Sequence, residues 1–183
     1  MRTLFSLTTF LALATPALAD GFTLDSPDLV DGRLQAKFAL SEKFGFGCKG
    51  GNLSPALAWQ GAPEGTKSFV LTIHDKDAPT GIGWMHWVVV NIPAGTDELA
   101  TGASGDATKL PAGALETRSD LGSPGYMGPC PPEGESHAYV FTLTALKVAK
   151  LPLDANATPA LVGFFAKANA LGEASLTVTQ GRE

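Results

Sequence analysis

The chain has 183 residues, 44% of them hydrophobic and 17% charged, with a formal net charge of −5. That balance excludes an intrinsically disordered chain, and an acidic surface is the wrong sign for neutralising nucleic-acid phosphates. Two cysteines exclude a multi-disulfide scaffold and a four-cysteine zinc site, while 21 Gly and 13 Pro without a collagen period point to a turn-rich, mainly β domain.

The first segment reads differently from the rest. After Arg2 no charge occurs from Thr3 to Ala19, Leu4 to Ala14 is apolar, and Ala17-Leu18-Ala19 is a small-x-small cleavage site. This is the pattern of a secretory signal peptide cut after Ala19. A membrane anchor is the alternative, but threonines and Pro16 dilute a segment already shorter than the ~20 apolar residues of a span. Removing 19 of 183 residues leaves 164, residues 20–183, expected to form a single secreted or periplasmic domain without a transmembrane segment.

Within that domain, Leu34, Ala36, Phe38 and Leu40 alternate with polar residues and predict a half-buried strand over Leu34 to Leu40. Gly45 to Gly61 is loop-like, with a short strand at Leu57 to Gln60. Ser68 to His74 and Met85 to Ile92 read as buried strands, the second around Trp87-Val88-Val89-Val90. Pro93 to Glu135 has little periodicity, and a loop that long in a compact domain is usually functional. Ala138 to Val148 returns to strand. Thr158 and Pro159 are a helix cap and first-turn proline. Leu161, Phe164, Phe165, Ala168 and Leu171 then make one apolar helical stripe, and Gly172 fits its stop. Ala174 to Gln180 is a last strand. The elements add up to an antiparallel sandwich with a helix at its edge.

The cysteines, Cys48 and Cys130, lie 82 positions apart in glycine-rich loops. In an oxidising compartment such a pair is expected to form a disulfide; two buried thiols are the alternative. The histidines sit at strand ends. His74 reads as a hydrogen-bonded strand-end residue. Asp75, Asp77, His86, His137 and Tyr139 form a candidate constellation, walled by Trp84 and by Gly122 to Pro132. Eight of the 13 residues from Gly122 to Gly134 are Gly or Pro, which suits a fixed backbone wall with N–H groups facing a ligand.

Five motifs occur in order: Asn52-Leu53-Ser54-Pro55 with Trp59; Asp75-x-Asp77-Ala78-Pro79; Gly83-Trp84-x-His86-Trp87; Gly125-Tyr126-x-Gly128-Pro129-Cys130-Pro131-Pro132; and His137-x-Tyr139. Together they resemble the phosphatidylethanolamine-binding protein family, in its bacterial Raf-kinase-inhibitor-like branch, across about Phe22 to Thr179. The resemblance implies a sandwich of two antiparallel sheets with a small anion-binding pocket. Carried over by motif, Asp75, Ala78, Pro79, Trp84, His86, Pro129, His137 and Tyr139 would line it. Lys76 departs from the family's usual Asp-Pro-Asp-Ala-Pro and places a cation near the rim.

The expected function is binding of a small phosphate-type or carboxylate ligand, without a cofactor or a structural metal. The family also implies a protein target, a protease or kinase, as described for some members. A metal-dependent enzyme using the same His and Asp residues is the alternative, although no His-x-His or His-x-x-x-His spacing supports it. No Gly-x-Ser-x-Gly elbow suggests a serine hydrolase.

Overall fold

The computed structural model describes residues 21–182, so the signal-peptide reading lies outside the described residues. The elements in chain order are β1 (Thr23–Asp25), β2 (Leu57–Gln60), β3 (Ser68–Asp75), β4 (Trp84–Pro93) and β5 (Glu98–Leu99). They are followed by β6 (Leu115–Glu116), β7 (Ser136–Leu146), α1 (Pro159–Asn169) and β8 (Ala170–Gly181). A three-stranded sheet runs β1-β2-β5 and a five-stranded sheet β6-β4-β3-β7-β8, every pairing antiparallel.

The main core lies between the sheets. Leu24, Leu57, Trp59 and Leu99 meet Phe69, Leu71, Ile73, Trp87, Val89 and Phe141 there. The opposite face of the large sheet packs Val70, Val88, Val90 and Leu146 against Val162 and Ala166 of α1. Strands β3 and β4 are thus apolar on both faces, which is why they read as near-continuous hydrophobic runs. The helix therefore covers a sheet face, not an edge.

Three local expectations change. Residues Leu34 to Leu40 are not a strand: a single 3-10 turn at Ala36–Phe38 interrupts them. Leu34, Phe38 and Leu40 are buried but Ala36 is exposed, so the spacing from Leu34 to Phe38 is one turn, not strict alternation. The segment bonds to loops instead of a ladder, through Leu40 N to Pro129 O at 3.1 Å and Asn52 N to Ala39 O at 2.9 Å. A Cβ on Gly128 would lie 2.4 Å from Phe38 O, so glycine is what allows this close passage.

In α1 the buried residues are Val162 and Ala166, whereas Leu161 and Phe164 are exposed. The helix is apolar around most of its circumference, and its sequence did not single out the packed face. Gly172 is not its stop, because the chain leaves Asn169 directly into β8. Thr158 does cap it, accepting from Leu161 N at 3.3 Å. Thr158→Ala should cost about 1 kcal/mol, seen as a lower urea midpoint with an unchanged slope. The stretch from Pro93 to Glu135 is mostly loop, but it also supplies the short strands β5 and β6.

Candidate functional site

The site begins with a bulge. Ile73 pairs with Trp87 and His74 with Met85, so His86 is an extra residue without a partner on β3. A bulge re-aims one side chain while the strand continues. Met127 clasps the bulged residue from the Gly/Pro-rich wall: its N–H donates to His86 O at 2.9 Å, and its carbonyl accepts from His86 Nδ1 at 2.7 Å. Asn52 braces that wall, donating to Tyr126 O at 3.0 Å and accepting from Gly128 N at 2.8 Å.

Asp75 ends β3 and is only 3% exposed. Its Oδ1 accepts from the Asp77 and Ala78 amides at 2.9 and 3.1 Å, closing the turn after the strand. Its Oδ2 accepts from His137 Nδ1 at 2.8 Å and lies 3.9 Å from His86 Nε2. Burial alone would raise this carboxyl, but the facing His86 and His137 imidazoles and the Asp77 amide outweigh it and hold it at about 2. His137 also points Nε2 at Glu135 Oε2, 3.1 Å away. Burial opposes its imidazolium, yet the Asp75 and Glu135 carboxylates prevail and raise its pKa above the ordinary histidine value.

Tyr139 packs edge-on to His86, with ring centroids 5.1 Å apart, and is stacked on His137 at 6.4 Å. Burial first, and then the Asp75 charge, push its phenol far above the ordinary value, so it stays a hydroxyl. Neither that buried hydroxyl nor the buried Trp84 Nε1 has a hydrogen-bond partner among the described residues.

A cleft of about 290 Å³ opens over this cluster. Six of the nine expected site residues line it: Asp75, Ala78, Pro79, Trp84, His86 and His137. Asp77, Pro129 and Tyr139 do not. Asp77 accepts from Ala138 N at 2.7 Å and ties the turn to β7, while Pro129 holds Leu40 through its carbonyl. Tyr139 lies against the two imidazoles. The wall's N–H groups are less available than the sequence suggests, because those of Tyr126, Met127 and Gly128 are all spent within the protein. Lys76 is exposed and faces the groove beneath α1, not this cleft. His74, as expected of a strand-end residue, bonds Ile82 O through Nε2 at 3.1 Å.

Met127, Cys130, Pro131 and Pro132 of the expected wall also line the cleft, whereas sequence reasoning missed Phe46, Thr80 and Arg182 in the lining, and Glu135 on His137. Only the sheet order could have brought Arg182 in. With β8 beside β7, Gly181 pairs with Ser136, and the next residue reaches the cleft. The expected disulfide is present: Cys48 and Cys130 are bonded, with Cα atoms 5.9 Å apart. It ties the loop carrying Phe46 to the wall carrying Pro131 and Pro132.

Fold and site define a two-sheet β-sandwich with one cleft built on buried Asp and His side chains. The chain belongs to the phosphatidylethanolamine-binding protein family, whose profile matches residues 34–181. It is 46% identical over 180 residues to the Escherichia coli K12 protein YbcL, covering 97% of each chain. To YbhB of the same organism it is 50% identical over 133 residues, or 73% of this chain and 84% of that one. The crystal structure of E. coli YbcL, titled a new member of the mammalian PEBP family, matches with a TM-score of 0.83 at 46% identity, over 88% of this chain and 99% of that one. A putative homologue from Chlamydia trachomatis matches with a TM-score of 0.74 at 27% identity, over 90% and 99% of the two chains.

Among the described residues, no group of three or more His, Cys, Asp or Glu side chains is arranged to hold a metal ion. The metal-dependent alternative therefore has no donor set there. No helix among them is long and apolar enough to cross a membrane.

Proposed function

We propose that this protein is an exported, non-catalytic binding protein that takes a small oxyanion of the phosphate-ester or carboxylate class in the cleft. The observation that carries this reading is the pair of buried imidazoles at one opening, with the orphaned Trp84 N–H nearby. Polar groups left unmatched in an otherwise apolar cleft mark where a ligand's polar head gains most. His86 is the group that meets the anion. Its Nδ1 proton is committed to the Met127 carbonyl, which leaves Nε2 as the ring nitrogen available to a ligand. His137, bonded to carboxylates at both nitrogens, holds Asp75 in place. Any modulation of a protease or kinase would act through this cleft, and an exported chain meets envelope or extracellular proteases more readily than cytosolic kinases.

Calorimetric titration with phenyl phosphate tests the reading. After allowance for the ligand's own ionisation, binding should weaken as pH rises and His137 loses its proton; despite burial, Asp75 and Glu135 hold its pKa above the ordinary histidine value. His86→Asn should lower affinity roughly tenfold or more while the melting temperature stays within a few degrees. Wild-type protein that binds neither phenyl phosphate nor inorganic phosphate, or a His86→Asn variant that binds as wild type, overturns it.

A further inference from the structure

A permanent cation stands in the same cleft. Arg182 follows β8, and its main chain is fixed by the loop before β7: Arg182 N donates to Glu135 O at 3.0 Å, and Gly134 N donates to Arg182 O at 2.8 Å. Arg182 lines the cleft together with Phe46 and Cys130, at its border with the groove lined by Gly47 and Cys48. Nη1 donates to Phe46 O at 3.1 Å and Nη2 to Gly47 O at 3.4 Å.

The berth is shaped for that group. Gly47 has a φ of +86°, and a Cβ there would lie 2.7 Å from Nη2. A side chain at this left-handed position would be strained, and the guanidinium would have to shift slightly to clear it. The neighbouring Cys48–Cys130 bond anchors the segment that carries both accepting carbonyls.

Charge accounting gives the arginine a task. Asp75 and His137 compensate each other, and Glu135 adds a second carboxylate on His137. Those groups alone leave the opening neutral to acidic, which repels an anion. Arg182 makes no ion pair among the described residues. The guanidinium N–H donors not used on the two carbonyls remain for a ligand.

We propose that Arg182 sets the charge selectivity of the cleft. It takes an oxygen of a phosphate monoester whose apolar group lies against Phe46, Pro131 and Pro132. This rests on the anion-binding reading above. His86 then supplies a positioned polar contact, and Arg182 the net positive charge.

The test is calorimetry with phenyl phosphate at about pH 6, over a series of salt concentrations, on wild type, Arg182→Gln, Arg182→Lys and His86→Asn. Wild-type affinity should fall with salt. Arg182→Gln should bind about ten- to a hundredfold more weakly and lose most of that salt dependence. Arg182→Lys should retain the salt dependence with intermediate affinity, since it keeps the charge and loses the fork. If Arg182→Gln binds within twofold of wild type while His86→Asn is impaired, the arginine proposal falls and the anion site stands. If Arg182→Gln is weakened but its salt dependence is unchanged, the arginine only props the Phe46 loop, and the proposal also falls. Wild-type protein that does not bind phenyl phosphate overturns both readings.

Discussion

Asp75→Ala should destabilise the protein by about 3–5 kcal/mol at neutral pH, the usual cost of removing one partner from a buried ionic cluster. One carboxylate serves four groups: the Asp77 and Ala78 amides, the His137 imidazolium and, at longer range, His86. Alanine leaves the amides unpaired and strips the buried His137 of the shorter of its two carboxylate contacts, leaving only Glu135. At roughly 2–4 °C per kcal/mol for a domain of this size, the melting temperature should fall by about 10 °C.

The pH profile identifies the cause. The carboxyl is held at about 2 against an ordinary value of 3.8. A carboxyl lowered in the folded state stabilises above its unfolded pKa and loses that contribution as pH falls through the folded one. Wild type should therefore lose roughly 2 kcal/mol between about pH 4 and pH 2. Asp75→Asn should lose none of it by this route. His137 has the opposite sign: its raised pKa stabilises fully below the unfolded histidine value, and the contribution is lost as pH rises through the folded one. The cluster is thus strongest between about pH 4 and pH 6.5. Urea melts of both proteins from about pH 2 to pH 7 decide the matter, and equal acid sensitivity in wild type and Asp75→Asn would contradict the assignment.

Breaking the Cys48–Cys130 bond should have an effect of similar size. The cysteines are 82 residues apart, and closing a loop of that length restricts the unfolded chain by roughly 4–5 kcal/mol on the chain-entropy account. The double variant Cys48→Ser/Cys130→Ser should melt about 10 °C or more below wild type. A reductant should bring wild type down to the variant's melting temperature and leave the variant where it is. Because the bond joins two walls of the cleft, phenyl phosphate should also bind the variant more weakly under conditions where it remains folded. A variant that melts with wild type would mean that the loops hold without the bond.

Much of this was legible in the sequence, for specific reasons. The runs around Val70 and Trp87-Val88-Val89-Val90 declare buried strands whatever the topology. The motifs around Asp75, His86 and His137 mark the cleft because each sits where a strand meets a shaped loop. What stayed hidden depended on three-dimensional phase. The turn at Ala36–Phe38 mimics alternation because its burial spacing of four is also an even number. The apolar surface of α1 offered two faces, and only the underlying sheet selects Val162 and Ala166. Tyr139 shares a motif with His137, but the motif does not say that the phenol lies outside the cleft lining. Arg182 and Glu135 meet because β7 and β8 are neighbours, a pairing no local pattern announces.

The bulge at His86 has a kinetic consequence. It places the anion-meeting side chain on the long strand β4, paired with β3 and clasped by Met127, and not on a free loop. Such a receptor is already organised before its ligand arrives, so little conformational entropy is surrendered on capture. Encounter should then be governed by diffusion into the opening, with main-chain shifts on binding below about 1 Å. Differences in affinity among ligands should appear mainly in how long each one stays.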